Sequence, residues 1–243
     1  MQNRYVGDLG DFGKFGLLKA LRGEPADLRL GVVWYLNNPR EDNADGKHVR
    51  YLSNNKDAAQ FTDCDSRLYS VLGEVVATKQ RSVQVLRERR VLGEGVTFFE
   101  KLVPEDGSLR APWVDEALHA TEASDVVFLD PDNGLAPKSV PMTSPDAKKY
   151  VYLREISEFL GREQSVVVYH HLGRLTKADE QIRTQIEVID RDLRPSGGTI
   201  GVSYHRGTAR AYFILMARHH EDRLRSRIDR FLAGPWSKHF SEP

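Results

Sequence analysis

The sequence predicts an α/β protein: a three-layer, Rossmann-like fold whose mostly parallel sheet ends in an antiparallel hairpin. Apolar runs of strand length alternate with amphipathic runs of helix length along the chain. Asp125–Leu129, Leu30–Leu36 and Ser165–Tyr169 are largely apolar at successive positions, as strands buried on both faces of a parallel sheet are. Thr199–Tyr204 and Ala209–Met216 are separated by only four residues, too few for a parallel crossover, so they form a hairpin.

Length and composition predict a single α/β domain over residues 1–243, with an irregular or helical insertion at about 37–94. The chain has 35 basic and 35 acidic residues. Its net charge therefore favours neither nucleic acid, a membrane surface nor an acidic substrate, and only local patches can indicate a partner.

The single cysteine, Cys64, excludes an internal disulfide and a cysteine-based zinc site, and it fits a reducing compartment. No apolar run approaches the ~18 residues of a membrane helix, and the first residues lack the apolar core of a signal peptide. These features predict a cytoplasmic protein with no membrane partner.

The first helix is expected to follow a segment with glycines at positions 7, 10, 13 and 16. The segment is not a phosphate-binding P-loop, because five residues separate Gly7 from Gly13 and Phe15 follows Lys14 where Ser or Thr is required. The pattern instead predicts a close-packed loop entering a helix with Asp11 as its N-cap. Asp11 and Lys14 remain candidates for ligand contacts, whereas the glycines are best explained by packing. The helix is expected to bury Phe15, Leu17, Leu18 and Leu21.

A polar loop, residues 37–48, follows the strand Leu30–Leu36. It lacks the G-x-G-x-x-G motif of a dinucleotide site, which weighs against a nicotinamide or flavin dehydrogenase. Asn37 and Asn38 are candidates for holding a cofactor, and the alternative is an ordinary solvated loop.

Weaker patterns follow in the middle of the chain. Ala58–Thr62 is predicted as a short strand, and Ser66–Thr78 and Arg81–Arg90 as helices. Val96–Phe99 is a further short strand, and Pro112 fits the first turn of a helix that runs to about Ala120.

Helices are predicted between the strands of the second half, over Ala147–Leu160 and over Lys177–Leu193 with Thr176 as N-cap. A last, basic helix is predicted over Arg218–Leu232. Basic side chains in this half could contact the phosphates of a nucleic acid. The candidates are Arg174, Arg218, Arg223 and Arg227.

The strongest candidate site is the loop after Asp125–Leu129, which has the sequence D-P-D-N-G. Pro131 lacks a backbone donor and Gly134 accepts a positive φ, so the loop is expected to be tight. In open α/β sheets, ligands bind just beyond the carboxyl ends of the strands. The predicted catalytic set therefore combines this loop with the end of the next strand. An alternative is that Asp132 and Asn133 only cap the turn. The set is Asp130, Asp132, Asn133, His170 and His171.

The order of elements resembles the class I S-adenosylmethionine-dependent methyltransferase superfamily, whose seven-stranded sheet ends in such a hairpin. In that superfamily the fourth strand leads into the catalytic loop, which is Asp/Asn-Pro-Pro-Tyr/Phe in the amino-methylating branch. Asp130-Pro131-Asp132-Asn133 occupies this position here. The resemblance covers about residues 28–217, and Asp130 and Pro131 are the shared motif residues.

Two departures from the superfamily pattern are visible. Asn37-Asn38-Pro39 stands where a glycine-rich loop usually follows the first strand, and Asn133 stands where an aromatic usually stacks on the target base. The resemblance implies S-adenosylmethionine as cofactor, held with help from Asp11 and Lys14, and an amino group of nucleic acid as substrate. It further implies that Asp130 accepts a hydrogen bond from the substrate amine, and that Tyr169 or His170 supplies the missing stack.

Two other functions fit the same residues. Carboxylates and imidazole are ligands for Mg²⁺ or Mn²⁺, so Asp130, Asp132 and His170 or His171 could serve a metal-dependent nuclease or phosphoesterase. Adjacent residues of a strand point to opposite faces, so at most one of the two histidines would be a ligand. The other alternative is a non-catalytic binding module.

Overall fold

The structure is a computed structural model that describes residues 2–37, 48–53 and 58–243. Strands and helices alternate along the chain, as the sequence predicts. The strands are β1 (Leu30–Trp34), β2 (Thr97–Phe99), β3 (Val126–Asp130), β4 (Gly134–Leu135), β5 (Tyr150–Val151), β6 (Ser165–His171), β7 (Thr199–Tyr204), β8 (Arg210–Leu215) and β9 (Phe240–Ser241). The helices are α1 (Leu9–Arg22), α2 (Ala58–Ala77), α3 (Val83–Glu88), α4 (Arg110–Ala120), α5 (Leu153–Leu160), α6 (Ala178–Asp192) and α7 (Glu221–Ala233).

Among the described residues, seven strands form one sheet in the order β2-β1-β3-β6-β8-β7-β9, and β4 and β5 form a separate pair. β2, β1, β3 and β6 are parallel to one another, whereas β8 lies antiparallel between β6 and β7. The predicted α/β fold, with a mostly parallel sheet that ends in an antiparallel hairpin, is confirmed.

The sheet order creates a switch point between β1 and β3. From β1 the chain continues to its neighbour β2, whereas from β3 the next strand of this sheet is β6, which lies on the opposite side. Connections that leave two neighbouring strands in opposite directions open a crevice beyond their carboxyl ends, where α/β proteins bind ligands. The predicted catalytic loop starts at this crevice because β3 ends at Asp130.

The sheet is buried on both faces, which explains its continuous apolar strands. Val32, Trp34 and Phe128 pack with α1, α2 and α7 in one core cluster. The alternate residues Val33 and Leu129 pack with α4, α5 and α6 in the second cluster on the other face. The predicted burial of the apolar face of α1 is also confirmed.

The glycines of α1 face close neighbours, which supports a packing role. A Cβ atom on Gly10 would overlap the guanidinium of Arg210, and one on Gly13 would lie 2.5 Å from the ring of Tyr204. A Cβ on Gly16 would overlap Trp236 in the same way. The row of glycines therefore allows the backbone of α1 to approach the sheet and the carboxyl-terminal segment directly.

Local predictions of three kinds are wrong. Residues 58–62 are not a strand but the start of α2, in which Phe61, Leu68, Leu72 and Val75 are buried at helical spacing. Asp65 has non-helical backbone angles and accepts a hydrogen bond from the Leu68 amide at 2.8 Å, so α2 is kinked there.

The second error is the single helix over 147–160. That segment is instead a 3₁₀ turn, then β5, then α5, because β5 pairs in parallel with β4. The third concerns caps: the N-cap of α6 is Lys177 rather than Thr176, and that of α1 is Asp8 rather than Asp11. Asp11 lies in the first turn of α1 instead.

Cys64 is half-buried, and its thiol donates a hydrogen bond to the Gln60 carbonyl at 3.2 Å. Burial raises the pKa of this thiol to about 11, which disfavours the reactive thiolate. In the described ranges, no helix is both long enough and apolar enough to cross a membrane.

Candidate functional site

A cavity of about 440 Å³ lies at the carboxyl edge of the sheet. It is bordered by the amino-terminal turn of α1, the loops after β3 and β6, and the start of β8. This volume is typical of small-molecule sites. The lining residues are Tyr5, Asp8, Asp11, Lys14, His48, Asp130, Pro131, Asp132, Asn133, Tyr169, His171, Arg174, Thr208 and Arg210.

Two aspartates fix the entry to α1. Asp8 caps the helix by accepting a hydrogen bond from the Asp11 amide at 3.0 Å. Asp11 accepts one from the Gly7 amide at 3.1 Å, and Gly7 has a φ of +80°, a conformation that favours glycine. Because residues three apart share a helix face, Lys14 lies directly beside Asp11 at the cavity.

Lys14 joins α1 to β3 through a buried ion-pair cluster with Asp11 and Asp130. Its Nζ lies 2.9 Å from Oδ1 of Asp11 and 2.9 Å from Oδ2 of Asp130. Burial lowers the pKa of Lys14, but the two carboxylates outweigh burial and raise it overall. Burial raises the pKa of Asp11 to about 6 against the opposing effect of Lys14. The structure thus brings together Asp11, Lys14 and Asp130, three of the predicted site residues.

Asp132 anchors the loop to the end of β1. Its Oδ2 accepts hydrogen bonds from Nε2 of Gln2 at 2.8 Å and from Nδ2 of Asn37 at 3.2 Å. Asn37 is therefore next to the predicted catalytic loop, whereas Asn38 lies outside the described residues. Asn133 lines the cavity, and its carbonyl accepts a hydrogen bond from the His171 amide at 3.1 Å.

The strand register carries the site across the sheet. Leu129 of β3 is paired with Val168 of β6, and Asp130 and Tyr169 are the next residues on these two strands. His171 of β6 is opposite Arg210 of β8. Along the edge, an acid is therefore followed by an aromatic ring and then by a guanidinium.

The two histidines lie on opposite sides of β6. His171 is exposed and lines the cavity. His170 packs against Phe213 on the other face, and its Nδ1 accepts a hydrogen bond from the Leu135 amide at 3.1 Å. Burial, with a smaller effect of His171, lowers the pKa of His170 to about 4, in agreement with an acceptor Nδ1. The structure does not bring His170 to the cavity, so it is not in position to stack on a base there.

The described residues contain no group of three or more His, Cys, Asp or Glu side chains arranged to hold a metal ion. Asp130 is paired with Lys14, Asp132 accepts two amide donors, and His170 faces away. The trio of Asp130, Asp132 and His170 considered for Mg²⁺ or Mn²⁺ is therefore not assembled.

Of the four predicted nucleic-acid contacts, Arg174 lies at the cavity. The other three follow β8, which runs antiparallel to β6 and ends beside Val166, near the amino end of that strand. Arg218 pairs with Glu221, Arg223 lies 3.7 Å from Asp27, and the buried Arg227 contacts Asp27 and the Leu21 carbonyl. They lie at the opposite edge of the sheet from the cavity.

Sequence reasoning did not place five lining residues at the site. Three of them are Tyr5, His48 and Thr208, which carry no motif. Asp8 could have been found, because it precedes Asp11 by the three-residue spacing of a helix cap. Arg210 could have been found from the hairpin, since an antiparallel return strand begins where its parallel neighbour ends.

Comparisons with known proteins support the fold. No family model matches the chain, and no curated protein matches it. Among solved structures, it is similar to the protein LPL1258 from Legionella pneumophila str. Philadelphia 1, whose family model is DUF519. The TM-score is 0.50 at 11% identity, and the match covers 98% of this chain and 97% of that chain. This likeness concerns the α/β fold alone.

Proposed function

We propose that this protein is an S-adenosylmethionine-dependent methyltransferase that acts on an amino group of nucleic acid. One observation carries the proposal: the loop Asp130–Asn133 follows β3, one of the two strands at the switch point, and borders a cavity at the carboxyl edge of a Rossmann-like sheet. Acidic side chains at the carboxyl end of this strand are what the methyltransferase resemblance implies.

The residues of the cavity fit the chemical parts of this cofactor. Three aspartates, at positions 8, 11 and 132, suit its sulfonium and ammonium charges. Lys14 suits its carboxylate, and Tyr5 and Tyr169 offer rings for its base. The cofactor supplies a methyl group on a positively charged sulfur, ready for attack by a nitrogen lone pair.

Asp130 is the residue proposed to position the substrate. Its carboxylate accepts a hydrogen bond from the amine N–H, which orients the nitrogen lone pair toward the methyl group. Lys14 compensates the charge of Asp130 within the buried cluster, so that the carboxylate is held at a fixed place. The bound cofactor would supply the methyl group and leave as a neutral thioether, and the amine nitrogen would release one proton to water in the cavity.

Calorimetry with S-adenosylmethionine and with S-adenosylhomocysteine tests cofactor binding. Lack of binding of both compounds at millimolar concentration would remove the proposal. Transfer of a labelled methyl group to total RNA or DNA from cells tests the reaction.

Asp130→Asn should keep most of the cofactor affinity and lower the transfer rate at least about a hundredfold, as the loss of a positioning group does. Asp125→Asn is the matched control, because Asp125 lies before the other end of β3 and pairs with Arg29 on the surface. It should transfer methyl groups at the wild-type rate. If Asp130→Asn changes only stability, the binding-module alternative is favoured.

A further inference from the structure

Arg210 is a buried cation that the proposed reaction does not use for chemistry. It is 7% exposed, and it begins β8 at the wall of the cavity. Its Nε donates to the Thr208 carbonyl at 3.1 Å, and its Nη2 donates to the Thr208 hydroxyl at 2.6 Å. Neutral oxygens of one neighbouring residue therefore hold the guanidinium in place.

The other buried arginines differ from Arg210 in their partners. Arg110 pairs with Glu155, and Arg227 pairs with Asp27. In the described part of the chain, no carboxylate forms an ion pair with Arg210. Asp8 affects it electrostatically without such contact. A buried charge without a counterion is unfavourable, so the missing partner is expected to come from a ligand.

The surroundings of Arg210 are shaped for this task. A side chain on Gly10 would overlap the guanidinium, so the first turn of α1 leaves the space that it occupies. The ring centre of Tyr204 lies 5.8 Å from the guanidinium carbon. Arg174 lines the same cavity and adds a further positive charge. A planar guanidinium held in this way can bind an oxyanion with two parallel hydrogen bonds.

We propose that Arg210, positioned by Thr208, is the receptor for an oxyanion of the ligand: a phosphate or a carboxylate. The inference rests on the proposed function in so far as it takes this cavity as the ligand site. Asp130 ends β3 and Arg210 begins β8. These strands are two positions apart in the sheet, which corresponds to about 10 Å. A nucleotide carries its base amine and its phosphate at opposite ends, and the cofactor carries a carboxylate.

The test uses the full chain and two probes. Inorganic phosphate reports on a phosphate site through thermal stabilisation of the protein. The second probe is the difference in affinity between S-adenosylhomocysteine and 5′-methylthioadenosine, since only the former has a carboxylate. Arg210→Met should weaken the response to at least one probe about tenfold or more. Loss of the phosphate response assigns the site to substrate phosphate, and loss of the affinity difference assigns it to the cofactor carboxylate.

Arg162→Met is the control, because Arg162 is an exposed arginine in the turn before β6, at the opposite edge of the sheet. It should behave as the wild type with both probes. If Arg210→Met does not fold, Arg210→Lys and Thr208→Val replace it as test variants. Both should weaken the response to the same probe, but to a smaller extent. Unchanged responses in these variants, or a wild-type protein that responds to neither probe, would overturn the proposal.

The result can be separated from a failure of the proposed function. A protein that binds phosphate through Arg210 but does not bind S-adenosylmethionine keeps the oxyanion site and loses the methyltransferase proposal. A protein that transfers methyl groups with no dependence on Arg210 keeps the methyltransferase proposal and loses the oxyanion site.

Discussion

Two buried ion-pair clusters lie on opposite faces of the sheet, and they differ in what surrounds them. The cluster of Arg110 and Glu155 is enclosed: Nε of Arg110 lies 2.6 Å from Oε1 of Glu155, and its Nη2 lies 3.0 Å from Oε2. The guanidinium lies 5.2 Å from the ring centre of Tyr35 and 5.3 Å from that of Trp113. The cluster of Lys14, Asp11 and Asp130 instead lines an open cavity.

The difference separates structure from function among buried charges. Arg110 also donates to the Tyr150 carbonyl at 2.8 Å, and Glu155 accepts from the Tyr35 hydroxyl at 3.2 Å. These contacts connect α4, α5, β5 and the end of β1. The pocket that Arg110 borders has a volume of only about 10 Å³, which is too small for a ligand. Lys14 and its carboxylates have one side on the cavity, so a ligand can change their environment.

The largest expected effect is on the enclosed cluster. Arg110→Met should lower the free energy of unfolding by about 3–5 kcal/mol, because Glu155 would remain as a buried charge without its partner. Urea unfolding followed by circular dichroism measures the change. Combining Arg110→Met with Glu155→Leu should restore a large part of the stability. A loss below about 1 kcal/mol in the single variant would show that the ion pair of Arg110 and Glu155 behaves as a solvent-exposed one.

Replacing the cation at the cavity, Lys14, with Met should lower the free energy of unfolding by less than Arg110→Met does. Lys14→Met should cost about 1–3 kcal/mol, because water in the cavity can solvate the two carboxylates that it leaves behind. It should also abolish binding of S-adenosylhomocysteine in calorimetry. Arg110→Met, studied under conditions where it is folded, is the control and should retain binding. A Lys14→Met variant that is less stable than Arg110→Met would reverse the comparison.

The smallest effect concerns pH. Asp11 has an ordinary pKa of 3.8 that burial raises to about 6, so the folded state keeps a proton that the unfolded state releases between these values. The stabilising contribution of this proton is complete below the unfolded value and is lost as pH rises through the folded value. Asp11→Asn removes the titration, so the free energy of unfolding should fall less steeply than in the wild type from about pH 4 to about pH 6. Parallel curves for the two proteins would contradict the titration of Asp11.

The fold was predictable because burial on both faces leaves a clear pattern in β1, β3 and β6. The hairpin was predictable from the short connection between β7 and β8. The helix over 147–160 was not, because β5 depends on pairing with β4, which is distant in sequence. Local propensity contains no information about such a partner.

The site was predictable only in part. Strand ends gave Asp130, and the helix entry gave Asp11 and Lys14. The alternation of a strand correctly limits the two histidines to one per face, but it does not tell which face has the cavity. Arg227 was predicted to contact nucleic acid, although it lies three residues after the buried Leu224 and four before the buried Phe231. That spacing places it on the apolar stripe.

The row of glycines in α1 has a consequence for the thermodynamics of ligand capture. Since this helix lies directly on Tyr204, Trp236 and Arg210, one wall of the cavity is as rigid as the protein interior. Little conformational entropy remains to be lost there when a molecule enters, so the wall is preorganised. Gly13→Ala would therefore weaken ligand affinity by displacing this preorganised wall, even though Gly13 itself need not contact the ligand.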